Sequence, residues 1–426
     1  MSKETIAELL PKNPVMSKTI VFNPLSLPTY VMAKPIGSMC NLNCSYCYYL
    51  EKEKLYQNRK KLEMSDEILE LFTQSYIEAQ PVKEVLFTWH GGETMLRDIS
   101  FYKKALQLQK KYGRGRQIDN VLQTNGTRLN DEWCRFFKDN NFLIGISIDG
   151  PEHCHDVYRM NKGGKGTFAE VMKGIELLQK HEVEFNTLSV INDYNVQFPL
   201  DVYRFFKEIG SRYMQFAPIV ERISDGRTDG LKLLPPEQHV DSQLAPWTVN
   251  PEKFGKFYIE IFDEWVRFDV SQFYVQLFDA TLANLVGAQP GVCIFSETCG
   301  HAAAMEFNGD VYACDHYVFP EFKLGNVRSQ TIFEMMFLEK QLQFGADKKE
   351  KLPRQCLECD VLRFCRGECP KNRIAQTPDG EPGLNYLCAG YKAFFRHALP
   401  YMEFMANELH NKRPPANVMF FARGKS

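Results

Sequence analysis

No run of eighteen consecutive apolar residues occurs in the 426-residue chain, and the opening segment MSKETIAELLPKNPVMSKTIVF holds no continuous apolar stretch. Neither a membrane-spanning helix nor a secretory signal is therefore expected. An excess of one charge sign is missing too: 51 Lys and Arg face 53 Asp and Glu, a formal net charge of -2. That balance leaves no electrostatic footprint for nucleic acid or an anionic membrane surface, so neither is expected as a partner. Internal repeats and low-complexity segments are also absent. What remains, at 44% hydrophobic and 24% charged, is the composition of an ordinary soluble globular protein with a cytoplasmic location. The length exceeds the usual single core and predicts one large domain with a smaller companion.

Cysteine is the exception to this plainness. Thirteen are present, and in a reducing compartment they read as metal ligands rather than as a disulfide framework. Eleven fall into two clusters, leaving Cys134 and Cys154 outside. Cys134 follows Trp133 and precedes Phe136 and Phe137, the setting of a small buried hydrophobe. Cys154, in PEHCHD, is read as structural.

From Thr29 to Val220 strand-like runs alternate with amphipathic helical stretches, the pattern of a parallel α/β domain. Six strands are predicted, in TYVMAK, EVLFTW, NVLQTN, FLIGISI, EFNTLSV and YMQFAPIV. In the helical stretch TFAEVMKGIELLQK, Thr167 and Glu170 are expected to form a capping box, with Phe168, Val171, Met172, Ile175 and Leu178 on one apolar face. A partial (β/α)6 TIM-type barrel fits the count, and its chemistry would sit in the loops after the strands. The expected divisions are an N-terminal extension over 1–28, the barrel over 29–222, a loop and helical connector over 223–290, a cysteine-rich domain over 291–400 and a tail over 401–426. The stretch from Ile223 to Val249, with Pro235, Pro236 and Pro246, reads as a loop or lid, PEKFGKFYIEIFDEWVRF as a helix, and Asn308-Gly309 as a type I′ hairpin turn.

Cys40, Cys44 and Cys47 stand as C-x3-C-x2-C directly after the first strand. One short loop can turn all three thiolates inward onto iron or zinc. A structural zinc would want a fourth nearby ligand, and the next cysteine is Cys134, the next histidine His90. Three thiolates on a four-iron cube would leave one iron open to a bidentate molecule. In spacing and place the motif resembles that of the radical S-adenosylmethionine (SAM) superfamily. The resemblance implies that SAM chelates the unique iron through its amino and carboxylate groups and is cleaved to a 5′-deoxyadenosyl radical. It also implies a SAM site made of Tyr46, the Gly91-Gly92-Glu93 segment after the second strand, Ser147 and Asp149 after the fourth, Arg159 in DVYRM, and Val220 after the sixth. Glycines would let backbone approach the ligand, the Glu93 carboxylate suits an ammonium, and the Arg159 guanidinium suits a carboxylate.

The second cluster comprises Cys293, Cys299, Cys314, Cys356, Cys359, Cys365, Cys369 and Cys388, enough thiolates for two four-cysteine sites. Two zinc knuckles are the plainer alternative, although the first half holds no CxxC pair. The arrangement, including Gly309 five residues before Cys314, resembles the SPASM domain, which binds two auxiliary 4Fe-4S clusters. From that resemblance Cys293, Cys299, Cys314 and Cys369 would ligate the first, and Cys356, Cys359, Cys365 and Cys388 the second. Three 4Fe-4S clusters and SAM are the implied cofactors. Fully ligated auxiliary clusters suit electron transfer, which selects an oxidation.

Asp315 follows Cys314 in YACDHYV, and with Cys-Tyr-Tyr-Leu after the first motif and FAPIVE it resembles the anaerobic sulfatase-maturating enzymes. That family implies oxidation of a Cys or Ser in a sulfatase C/S-x-P-x-R sequence to Cα-formylglycine. The substrate would be an unfolded or nascent sulfatase polypeptide, and the electron donor a protein such as flavodoxin or ferredoxin. Asp315 would be the proton acceptor, Tyr49 would orient the base or the substrate, and His90 would contact the peptide. The alternatives are another SPASM peptide-modifying enzyme, such as a thioether-forming maturase, and a non-enzymatic zinc scaffold. No leader-peptide-binding domain is expected before the barrel, which counts against the maturase.

Overall fold

The apolar runs of the first half form six parallel strands paired in chain order: β1 (Tyr30–Ala33), β2 (Glu84–Trp89), β3 (Gln117–Thr124), β4 (Phe142–Ser147), β5 (Phe185–Ile191) and β6 (Tyr213–Pro218). The computed structural model describes residues 28–56, 61–224, 231–235 and 242–424. Between the strands lie α1 (Asp66–Glu78), α2 (Ile99–Gly113), α3 (Asp131–Asp139), α4 (Glu152–His155), α5 (Phe168–Lys180) and α6 (Pro199–Glu208). Period-two burial in β2 turns Val85, Phe87 and Trp89 toward the helices. There Phe87 and Trp89 meet Phe72 of α1, and Trp89 also meets Phe101 and Tyr102 of α2. Each such ring contributes roughly 1.5–3 kcal/mol by leaving water. The Trp89 indole N–H, which would otherwise be buried unpaired, donates to Asn120 Oδ1 at 2.9 Å.

Side-chain caps set where the helices begin. Ser65 accepts from Ile68 N, Asp98 from Ser100 and Phe101 N, and Asn130 from Trp133 N. The capping box expected at Thr167 does not form. Its hydroxyl is drawn into the preceding loop, donating to the Arg159 carbonyl at 2.9 Å and meeting His155 Nε2 at 3.1 Å. Asp156 Oδ1 serves α5 instead, accepting from Thr167 N and Phe168 N at 2.8 and 2.9 Å.

An open barrel leaves two strand edges with unpaired backbone groups. After β6 come the short pair β7 (Arg222–Ile223) and β8 (Gln243–Leu244), then α7 (Pro251–Phe268), β9 (Tyr274–Val275) and α8 (Gln276–Leu285). β9 covers the β6 edge in parallel. The β1 edge is covered by β10 (Ala302–Met305), also in parallel, and β11 (Asp310–Tyr312) and β12 (Lys323–Asn326) continue the sheet antiparallel. A single ten-stranded sheet, β12-β11-β10-β1-β2-β3-β4-β5-β6-β9, therefore runs through both halves of the chain. The cysteine-rich region expected beyond Cys293 continues the barrel's sheet through β10, β11 and β12.

The Asn308-Gly309 turn is not type I′, which needs positive φ at two central residues. Gly309 alone is positive, at 87°, and its N–H closes onto Glu306 O at 2.9 Å. The loop or lid expected over 223–249 is described only in part, since 225–230 and 236–241 lie outside the described residues. Farther on, β13 (Ala375–Gln376) and β14 (Pro382–Leu384) form a small hairpin. The helix Cys388–His410 packs on α7. A Cβ on Gly255 would stand 2.7 Å from Gly390 Cα, so two glycines permit this close crossing. The boundary drawn at 400/401 falls inside that helix, which continues through Pro400.

Candidate active site

β1 ends against the loop that carries Cys40, Cys44 and Cys47. The loop is braced by β2 and β3: Gly92 N donates to Gly37 O and Glu93 N to Met39 O, both at 2.8 Å. Asn125 Nδ2 donates to Asn41 Oδ1 and Asn41 Nδ2 to Thr127 Oγ1, both at 2.9 Å. A Cβ on Gly92 would lie 1.9 Å from Met39 O, and one on Gly91, where φ is 129°, would lie 2.8 Å from Gly37 O. Both glycines thus admit the cysteine loop's backbone, a use that spacing does not show. Glu93 is fully buried and its carboxylate is already engaged, accepting from Thr124 Oγ1, Asn125 N and Met95 N at 2.7, 2.8 and 2.9 Å. These bonds tie the end of β2 to the loop after β3.

Of the other SAM candidates, Tyr46, Asp149 and Arg159 meet at the loop, whereas Ser147 and Val220 have partners elsewhere. Tyr46 OH donates to Asp149 Oδ2 at 2.5 Å, and Arg159 Nε lies 3.1 Å from the same oxygen in a buried ion pair. The Arg159 guanidinium carbon stands 5.6 Å from the Tyr46 ring centroid. Asp149 Oδ1 accepts from Val190 N at 2.9 Å, anchoring the group to β5. Ser147 Oγ accepts from Gln123 Nε2 at 2.8 Å. Val220 is buried and its carbonyl accepts from Lys371 Nζ. Burial pushes the Cys44 thiol up to about 12 and the Cys40 thiol to about 11, and at Cys44 the nearby Arg159 cation works against burial. Cys40 and Cys47 in turn act on Cys44, so the three thiols are near neighbours.

All thirteen cysteines are free thiols. In the C-terminal region they separate into two neighbourhoods. The Cys369 thiol is held well above its ordinary value by burial, then by Glu368, Cys299, Cys314 and Cys293. Cys356 is pushed up to about 11 by burial, then by Cys388, with Cys359 contributing. Cys356, Cys359, Cys365 and Cys388 line one cavity with Val361 and Leu362. Buried Lys348 donates to the carbonyls of Cys293 and Ile294 at 2.6 and 2.8 Å, placing a cation beside the first neighbourhood. Among the described residues no three His, Cys, Asp or Glu converge tightly enough to hold a single metal ion.

Asp315 projects from the turn after Cys314. Its carboxylate ion-pairs with Lys34, the residue that follows β1, and accepts from Tyr48 OH. Burial pushes Asp315 up, but Lys34, then His90 and His316, outweigh it and hold the carboxyl well below the ordinary range. Tyr49, expected to orient the base or the substrate, donates its hydroxyl to Glu306, and its ring lies under Lys34 Nζ, 3.4 Å from the centroid. Glu306 is pushed up to about 7 by burial, against the pull of Lys34 and the Tyr49 hydrogen bond. His90 Nδ1 accepts from Gly91 N at 2.7 Å, and burial takes the ring down to about 4, so it is a neutral Nε2–H donor at neutral pH. Lys34, Tyr48 and Glu306 were not singled out from sequence. The available signals were a charged residue ending the apolar run TYVMAK, the tyrosine beside Cys47, and a glutamate after AAAM.

Comparison with known proteins gives three kinds of match. The radical SAM superfamily profile matches residues 35–206, and the SPASM iron-sulfur cluster-binding domain profile matches 297–360. A serine-type anaerobic sulfatase-maturating enzyme of Bacteroides thetaiotaomicron is 58% identical over 402 residues, covering 94% of this chain and 97% of the relative. A cysteine-type enzyme of Clostridium perfringens is 30% identical over 90% of this chain and 99% of its own. The solved structure of native anSMEcpe with bound AdoMet and the Cp18Cys peptide aligns at a TM-score of 0.76 with 31% identity, covering 90% of this chain and all of that one.

Proposed function

The chain belongs to the anaerobic sulfatase-maturating enzymes of the radical SAM superfamily, and on that footing we propose that Asp315 is the proton acceptor in oxidation of a sulfatase Ser or Cys to Cα-formylglycine. The observation that carries this reading is the place of Asp315: beside Cys314, held ionised by Lys34 at the end of β1, and within electrostatic reach of His90 after β2. An ionised carboxylate is an acceptor only, the state that taking a hydroxyl or thiol proton requires.

Cys40, Cys44 and Cys47 would hold the SAM-binding cluster. Cys293, Cys299, Cys314 and Cys369 would hold one auxiliary cluster, and Cys356, Cys359, Cys365 and Cys388 the other. The chemistry these groups supply with SAM, when bound, is one-electron removal of a Cβ hydrogen and an outlet for the second electron. Tyr46, Asp149 and Arg159 form the buried wall of the SAM site, with Ser147 and Val220 alongside. Gly91, Gly92 and Glu93 keep that wall and the cysteine loop in register. His90, neutral and half-buried, presents an N–H to the peptide.

Serine is proposed as the preferred target, supported by the higher identity to serine-type than to cysteine-type relatives. No helix of the described residues is long and apolar enough to cross a membrane. A cytoplasmic site of action fits thirteen free thiols, and a small redox protein such as flavodoxin or ferredoxin fits the need for single electrons. The test is incubation with SAM, reductant and paired C-x-P-x-R and S-x-P-x-R peptides, followed by mass spectrometry. Loss of two hydrogens from serine, or exchange of H2S for oxygen at cysteine, is expected. SAM cleavage with both peptides unchanged would remove the assignment.

A further inference from the structure

Lys34 follows the last residue of β1, and its backbone N–H donates to Met305 O at 2.9 Å. The β1–β10 register pairs Ala33 with Met305, so Lys34 and Glu306 leave the sheet together. The Lys34 side chain has no exposed surface, and a buried ammonium is tolerable only where charge or π density meets it. Three groups do so: the Asp315 carboxylate, the Tyr49 ring at 3.4 Å, and Glu306 through its field. Lys34 holds Asp315 through this direct ion pair. Asp315 itself sits on a single short turn, Asp315–Tyr317, and its carboxylate also accepts from the Tyr48 hydroxyl.

We infer that Lys34 is a positioning residue for the reaction, fixing the Asp315 carboxylate from the rigid end of β1 so that it meets the substrate hydroxyl. The role rests on the reading of Asp315 as the base. A turn of three residues in the cysteine-rich region would otherwise carry the acceptor, whereas β1 is clamped between β2 and β10. Misplacing a reacting group by about 1 Å can cost roughly a hundredfold. The demand is greater for serine, because a cysteine thiol with a pKa of about 8.5 gives up its proton far more readily than an alcohol.

The test is a double-mutant cycle on the reconstituted full-length enzyme, reading formylglycine formed per SAM cleaved. Lys34→Met is expected to keep SAM cleavage while this ratio falls roughly ten- to hundredfold with the serine peptide. The fall should appear in kcat rather than KM, and be smaller with the cysteine peptide. Combined with Asp315→Asn it should add no further loss, since Lys34 acts through Asp315. The combined variant also carries no lone buried charge, so it decides the matter if Lys34→Met alone fails to take up its clusters. An unchanged ratio in Lys34→Met, or SAM cleavage or turnover in the combined variant below that of Asp315→Asn, overturns the inference. Full activity of Asp315→Asn instead overturns the base reading, a separate result.

Discussion

Arg159 lies against Asp149 with Nε 3.1 Å from Oδ2, both side chains buried beside the loop of Cys40, Cys44 and Cys47. Breaking a buried pair by removing one member leaves the other charge uncompensated, at about 3–5 kcal/mol. Arg159→Gln should therefore lower the unfolding temperature of the loaded enzyme and weaken SAM binding by equilibrium titration. Arg159→Lys, which keeps the charge without the planar fork, should fall between the two. SAM affinity equal to that of the parent in Arg159→Gln would take Arg159 out of the binding site.

Tyr48 and Tyr49 should separate in their effects. A hydrogen bond to a charged group contributes about 1.5–3 kcal/mol, and Tyr48 gives its hydroxyl to Asp315 whereas Tyr49 gives its own to Glu306. Tyr48→Phe is expected to slow formylglycine formation roughly tenfold or more. Tyr49→Phe should slow it less and cost stability instead. Steady-state rates and thermal melts on the two variants measure this directly, and the reverse order would return the orienting role to Tyr49.

Glu306 offers a prediction with a definite sign. Its carboxyl is pushed up to about 7 in the folded protein from an ordinary 4.5. The folded state therefore binds this proton more tightly than the unfolded chain. The stabilisation is fully present below pH 4.5 and is lost as pH rises through 7. Glu306→Gln keeps an acceptor for Tyr49 and lacks this dependence. Its unfolding temperature should rise relative to the parent between pH 5 and pH 8, at up to about 1.4 kcal/mol per pH unit. A difference independent of pH would contradict the assignment.

Gly92 leaves no room for a side chain, a Cβ falling 1.9 Å from Met39 O. Gly92→Ala must push the cysteine loop aside. Iron analysis after anaerobic reconstitution should show loss of about four of roughly twelve irons, with the auxiliary clusters retained. Electron paramagnetic resonance of the reduced protein would show which signal disappears.

Much of this was legible in the chain. EVLFTW and PEKFGKFYIEIFDEWVRF match β2 and α7 residue for residue, because each carries its own periodicity. Around Cys369 the fold gathers Cys293, Cys299 and Cys314, and around Cys388 it gathers Cys356, Cys359 and Cys365, residues far apart in the chain. Lys34 and Glu306 were not legible, since their meeting depends on β1 pairing with a strand some 270 residues later, which no local pattern encodes. The Thr167 cap failed for a related reason: a carboxylate eleven residues earlier, Asp156, took the helix N-terminus through the fold of the α4 loop. At Tyr48 and Tyr49 the pattern offered two adjacent phenols, and only the direction of each side chain distinguishes them.

The pairing of β10 with β1 also bears on how such chains can be recombined. A barrel cut from its cysteine-rich partner would present β1 as a bare parallel edge, an invitation to self-association. A transplanted C-terminal region would have to bring a strand that enters beside Tyr30 and leaves beside Ala33 in the same register. Shifted by one residue, Glu306 would point to the opposite face of the sheet. Inheritance of the two halves is thereby tied together, and grafting a new auxiliary-cluster region onto this barrel is a problem of strand register before it is one of electron transfer.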